Sequence, residues 1–100
     1  QWAQMFEGID ILVMPTSGIP PFENDLDLTS PESLPKILNA QKFLYATNVL
    51  GLPSVALPTH LAGTVPVGVQ LVAPMHEDFF ALNVAEKLEN QLGRLITKIP

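Results

Sequence analysis

Aliphatic side chains occupy every odd position from 65 to 71: Val65, Val67, Val69 and Leu71 alternate with Pro66, Gly68 and Gln70. That two-residue period predicts a strand with one packed face. The bare Gly68 on the other face predicts the close approach of a second backbone or of a ligand. Just upstream, residues 54–58 (Ser-Val-Ala-Leu-Pro) form a short apolar run closed by proline, as a brief strand should be. Residues 59–64, with the single Gly63, are expected to form a loop that turns the chain back. Residues 9–14 are apolar except for Asp10. A run that continuous predicts a strand buried on both faces, as in the parallel or mixed sheet of an α/β protein. Residues 15–21 (Pro-Thr-Ser-Gly-Ile-Pro-Pro) break it into a loop at its carboxyl end. In open α/β sheets that is where ligands tend to sit.

Between and around these strands the period changes to that of helices. Trp2, Met5 and Phe6 fit the last turns of a helix stopped at Gly8. Residues 22–31 read as irregular and hold Glu23, Asp25 and Asp27. A helix start at Ser30 would put Pro35 where its missing N–H breaks an intrahelical bond. Ser33 as N-cap puts Pro35 in the first turn, where no bond is lost, and is the expected start. From there Leu34, Ile37, Leu38, Gln41, Leu44, Tyr45 and Asn48 keep a 3.6-residue period up to Gly51, with Pro53 beyond it. Glu77 and Asp78 open a last helix and suit its dipole. Its apolar stripe is Phe80, Ala81, Val84, Ala85, Leu88 and Leu92, and Gly93 ends it. Residues 95–100 read as a short strand or a tail.

Composition narrows the picture. One hundred residues suggest one domain or part of a larger one, and residues 1–100 are taken as a single segment. A hydrophobic content of 47% beside only 15% charge is rich for that length and fits a piece that packs against more protein. The net charge is −5 and the basic residues are scattered, which argues against nucleic acid or an anionic membrane surface as partner. No apolar run approaches a membrane span. The absence of cysteine excludes disulfides and thiolate metal sites and gives no sign of secretion, so a cytoplasmic location is expected. The chain begins with Gln1, which fits either processing or the tail of something longer.

In order along the chain stand Asn48, Gly51 and Pro53, then Pro58, then Pro66, Gly68, Gln70 and Leu71, then Glu77. This arrangement resembles the C-terminal part of the amidase signature family: N-x-x-G-x-P, a short strand ending in proline, P-x-G-x-Q-L, and an acidic residue opening a helix. Upstream, residues 10–16 are similar to the family's apolar strand ending in Pro-Thr. The chain departs from the pattern at Thr64-Val65-Pro66, where the family usually has Gly-Leu-Pro. His60 stands where it often has glycine. The resemblance implies the C-terminal portion of the amidase-signature fold, an α/β arrangement of mixed-sheet strands covered by helices. It also implies hydrolysis of carboxylic amides without a cofactor.

The resemblance is specific about the chemistry. In this family a lysine acts through a serine in a cis peptide to activate a second serine, within a Gly/Ser-rich segment well before the part represented here. Ser17, Ser30, Ser33 and Ser54 lie outside any Gly/Ser-rich run, and Lys36, Lys42, Lys87 and Lys98 belong to helices or the tail. No catalytic residue is therefore expected in this chain. The loop at residues 16–22 would line the acyl or amide pocket, which makes Thr16, Ser17 and Gly18 candidate substrate-binding residues. The plainer and preferred reading of Ser17 is a turn residue bonding its own backbone. Gln41 is the fourth candidate. Glutamyl-tRNA amidotransferase A subunits commonly carry an aspartate there that recognises the substrate's amino group. A neutral amide cannot make that ion pair, which favours a hydrolase of small or aryl amides.

Other polar residues have plainer readings. His60 and His76 lack a carboxylate or second histidine at metal-ligand spacing, so no metal site is expected. Asp10 fits a cap or turn before the first strand, the acidic residues 23, 25 and 27 a solvated loop, and Asn48 a tie to backbone groups at a helix end. Two readings follow. In the first, the chain is the C-terminal segment of an amidase, inactive alone, whose partners are a small-molecule amide and the N-terminal segment that supplies the catalytic residues. In the second it is a non-catalytic α/β interaction module that self-associates through exposed sheet edges. A hydrolase built on Ser17 itself is a third and lesser reading.

Overall fold

The structure, a computed structural model, describes residues 1–95. Its elements are α1 (Trp2–Met5), β1 (Leu12–Pro15), α2 (Leu26–Thr29), α3 (Ser33–Ala40), α4 (Lys42–Leu50), β2 (Ser54–Ala62), β3 (Val65–Val72) and α5 (Asp78–Leu92). The strands form a sheet in the order β1-β3-β2, and both pairings are antiparallel. The expected tail falls, from Ile96 onward, outside the described residues.

β3 is the centre of the sheet, and its sequence shows why. Val69 and Leu71 lie on the face shared with Val55 and Leu57 of β2. Ala85, Val84 and Leu88 of α5 pack there to make the core cluster. The opposite face is also closed at this end, because Gln70 and Val72 are as buried as Leu71. The expectation of one packed face is therefore not met: burial rises along the strand, from exposed Val65 and Pro66 through half-buried residues 67–69 to buried residues 70–72. The alternation gives way at Leu71-Val72-Ala73, a continuous apolar run in which all three residues have no exposure.

β1 corrects the reading of residues 9–14 in the other direction. It starts only at Leu12, pairs with β3 along one edge, and alternates between half-buried and exposed residues. Val13 shares a face with Leu71 through the pairing register yet is 55% exposed, because α5 lies across β2 and β3. Val49 and Phe79, at 85% and 83% exposure, are further large apolar side chains in solvent.

The hairpin is longer and tighter than the expected short strand and six-residue loop. β2 runs through Pro58 to Ala62, and only Gly63 and Thr64 turn the chain. Gly63 has φ +66°, the left-handed value that the first position of a II′ hairpin turn requires. Pro58 is tolerated because β2 is an edge strand and because the ladder shifts register between Pro58 and His60. Gly68, paired with Pro58, confirms the close approach of a second backbone. A Cβ there would lie 2.9 Å from Pro58 Cα and closer still to the Leu57 carbonyl oxygen.

The helix expected to run unbroken from residue 33 to Gly51 is two helices. α3 ends at Ala40, Gln41 leaves the helical conformation with ψ 7°, and α4 resumes at Lys42 and ends at Gly51 in the left-handed conformation. Ser33 is the first residue of α3 and not its cap, a position held by Glu32. The Ser33 hydroxyl is committed elsewhere. Thr29 Oγ1 donates to the Leu26 carbonyl at 2.8 Å, so it accepts from Ser33 Oγ, which in turn accepts from Ser30 Oγ, each at 2.9 Å. This hydroxyl chain ties α3 to α2, a short helix in the stretch expected to be irregular. α5 matches its expected bounds, with Ala81 and Ala85 buried, although Phe80 and Leu92 at the ends of the stripe are exposed.

Candidate functional site

The break at Gln41 has a consequence at the carboxyl end of β1. In a continuous helix the Ala40 carbonyl would accept the Leu44 N–H. Here the Leu44 N–H turns to the Gln41 carbonyl at 2.9 Å, and the freed Ala40 carbonyl accepts the Gly18 N–H at 2.7 Å. A Cβ on Gly18 would sit 3.4 Å from that same oxygen, so a residue without a side chain lets the loop lie against the helix. The loop after β1 is thereby fastened to the junction of α3 and α4.

A second fastening comes from β3. Gln70, 1% exposed, donates through Nε2 to the carbonyl of Pro15 at 3.0 Å. A carbonyl oxygen can be met only by the NH2 end of a side-chain amide, so the orientation of Gln70 follows from the contact. Its Oε1 is then left buried without a hydrogen-bond partner among the described residues. An acceptor in that state costs about 1–3 kcal/mol, and native structures keep few of them.

Between these fastenings lies a cavity of about 760 Å³, bounded by the loop at residues 16–22, by Gln41 and Leu44, and by the hairpin from Ala62 to Gly68. All four residues named from the sequence line it: Thr16, Ser17, Gly18 and Gln41. Thr16, Ser17 and Gln41 are half-buried and Gly18 is exposed. Ile19, Phe22, Leu44 and Val67 make much of the remaining wall, and no lining residue carries a formal charge or an imidazole. The Ser17 oxygen accepts the Ile19 N–H at 3.2 Å, the turn role that its sequence context suggested. No side chain lining this cavity among the described residues is a base that could take the Ser17 proton. What the cavity can do is enclose an apolar or aromatic group and offer hydroxyl, backbone and neutral amide groups at its polar side.

The other polar residues lie elsewhere. His60, expected in a loop, is part of β2 and exposed. Its Nδ1 is 2.9 Å from Thr59 Oγ1, which donates to the Val67 carbonyl at 3.2 Å; the histidine therefore supplies the proton of their shared bond. His76 precedes α5 with φ +69° and is exposed. Asp10, Glu23, Asp25 and Asp27 are exposed, and Asp25 takes the left-handed conformation before α2. The Asn48 side chain is exposed, while its carbonyl accepts the Gly51 N–H at 3.2 Å. Among the described residues no three His, Cys, Asp or Glu side chains converge as a metal site would require. Among the described residues no helix is long and apolar enough to cross a membrane. The residue that the sequence reading missed is Gln70, assigned to the open face of a strand and found buried against the site loop.

Residues 1–82 match the family model described as Amidase. An indoleacetamide hydrolase of Bradyrhizobium diazoefficiens is 33% identical over 100 residues, which cover 98% of this chain and 19% of that protein. The A subunit of the glutamyl-tRNA(Gln) amidotransferase of Natranaerobius thermophilus is 29% identical over 94 residues, covering 92% of this chain and 18% of the relative. Its counterpart in Thermus thermophilus is 31% identical over 98 residues, covering 96% and 20%. The chain thus spans about a fifth of the length of the curated relatives it matches.

Proposed function

We propose, from the premise that this chain belongs to the amidase family, that it forms the C-terminal segment of an amide hydrolase and supplies one wall of its substrate pocket. The observation that carries this reading is the cavity that unites Thr16, Ser17, Gly18 and Gln41. In the reaction a serine outside this chain attacks the amide carbonyl, ammonia or an amine leaves, and water releases the acid from the acyl-enzyme. Thr16, Ser17 and Gly18 would position the acyl or amide group, while Phe22 and Leu44 cover its apolar part. No step calls for a cofactor. The uncharged wall and the neutral Gln41 favour an aryl or small aliphatic amide over a substrate held by its ammonium group, and one relative is named as acting on indoleacetamide.

The test is an assay with indole-3-acetamide, benzamide and acetamide. The chain is assayed alone and after mixing with the preceding segment of the Bradyrhizobium hydrolase. The expected result is silence alone and hydrolysis after mixing. Activity of the isolated chain that disappears in Ser17→Ala would overturn the assignment of the nucleophile to another segment.

Silence in both would favour the interaction module, for which the exposed Val13 on the edge strand β1 is the supporting observation. An edge-paired dimer in sedimentation would then be expected.

A second prediction concerns Gln41. Replacing it with aspartate puts a carboxylate against an apolar ligand with no cation to pair it. Gln41→Asp should lower kcat/KM for an aryl amide about tenfold in the complemented enzyme, mainly through KM. An unchanged KM would remove Gln41 from the substrate pocket.

A further inference from the structure

The geometry points to Gln70 as a positioning residue for the pocket loop, acting through the Pro15 carbonyl and not through contact with substrate. The inference rests on the amide-hydrolase reading for its kinetic consequence, and on the structure alone for the positioning itself.

Gln70 sits on the central strand, the part of the sheet most enclosed by its surroundings, and is 1% exposed. Its backbone is in register with Met14, and its side chain reaches one residue further to the Pro15 carbonyl. Pro15 is the last residue of β1, so this bond holds the peptide unit from which the Thr16-Ser17-Gly18 segment departs. Three residues on, the Gly18 N–H is held by Ala40. Thr16 and Ser17 are therefore suspended between two anchors, one on the sheet and one at the helix break. Remove the Gln70 anchor and the segment keeps the backbone pairing of Pro15 with Val69 at its near end, and the Gly18 bond and the Ser17–Ile19 turn at its far end.

The buried Oε1 supports an assignment beyond simple filling of space. A leucine or methionine would fill the site without leaving an orphaned acceptor. The one satisfied side-chain contact of the amide is to the loop. Gln70 is not among the residues that line the cavity of Thr16 and Gln41. Gln70 thus acts on the pocket at one remove.

Two variants in the intact protein test this, with hydrogen exchange as the first readout. Gln70→Met keeps the length and loses the donor. Gln70→Glu loses the donor when ionised and regains an O–H donor when protonated. In Gln70→Met, exchange of the Ser17, Gly18 and Ile19 amides should rise about tenfold, the amount one hydrogen bond is worth, while α5 stays as protected as in the parent. In Gln70→Glu, loop protection relative to α5 should be near that of the parent at low pH and fall as the carboxyl ionises. Loop and α5 losing protection together, or a loop that does not respond, would overturn the assignment. If Gln70→Met does not fold, the pH response of Gln70→Glu decides alone.

The second readout is kinetic. The ratio of kcat/KM for an aryl amide to that for acetamide should fall about tenfold, because the larger acyl group relies on a fixed loop. Equal losses on both amides would mean a structural role only. Absence of any amide hydrolysis by the unsubstituted chain after complementation would sink the functional reading, and the exchange measurement would still decide the positioning.

Discussion

Gly68→Ala is expected to lower the thermal midpoint by roughly 10–20 °C, on the scale of 4–8 °C per kcal/mol for a domain near 100 residues. The added Cβ would meet backbone on both sides of the contact: the Leu57 carbonyl, and Pro58 Cα at 2.9 Å. Backbone in a paired ladder cannot swing aside as a side chain can. The strands must separate locally, or the irregularity between Pro58 and His60 must move. Either change costs about 1–3 kcal/mol as overpacking, with lost ladder bonds in addition. Gly63→Ala is the matched control. Gly63 also has its own reason to be glycine, a φ of +66°, but nothing lies within 4 Å of a Cβ built there. Its cost should be the conformational one alone, about 1 kcal/mol. Circular dichroism melts of the two variants separate the mechanisms, and equal midpoints would show that the hairpin yields freely at Gly68. Gly68 also borders the cavity, so under the proposed function its variant should weaken amide binding as well as stability.

The glycine at position 68 was legible because a bare position on an alternating strand leaves room that something must approach to fill. The neighbouring Gln70 was not. A period-two pattern assigns a glutamine to the open face, and only the three-residue apolar run at positions 71–73 signals that both faces close at that end of the strand. Length misled in the opposite sense at β1. Five apolar positions in a run of six read as doubly buried, but burial depends on what covers a strand, and α5 packs mainly on β2 and β3. The helix break at Gln41 leaves no mark in the apolar period of residues 34–48, since it is confined to one residue, with ψ 7°. It is the interaction with Gly18, far away in the chain, that uses the break. The hairpin was misjudged because Pro58 normally ends a strand, and pattern alone does not show that β2 is an edge strand with a register shift just beyond the proline. For the site, the resemblance brought forward four residues that prove to share one cavity, while the anchors that hold their loop are long-range contacts invisible to spacing.

Leu71→Ala should be the most damaging simple truncation in the chain. Leu71 has no exposure and lies at the meeting point of Leu57 and Ala85, with Val55, Val69 and Leu88 around it. Its neighbours belong to a paired sheet and a fifteen-residue helix, elements that cannot close on a cavity without moving as units. The loss should therefore sit toward the upper part of the range of about 2–5 kcal/mol seen for buried leucines. Set against a total stability on the order of 5–15 kcal/mol for a folded domain, that leaves a protein near its unfolding threshold. Val13→Ala provides the contrast on the same face of the sheet. Val13 pairs with Leu71 in register but is 55% exposed, so its truncation should change stability by less than about 1 kcal/mol. Urea denaturation of both variants measures the difference directly, with Leu71→Ala shifting the midpoint and Val13→Ala leaving it almost in place. A large loss at Val13 would mean that this edge is covered in solution, and would direct attention to what pairs with β1. A small loss at Leu71 would mean that the core cluster between sheet and α5 does not hold the segment together, and the two anchors of the pocket loop would then rest on a sheet too loose to position it.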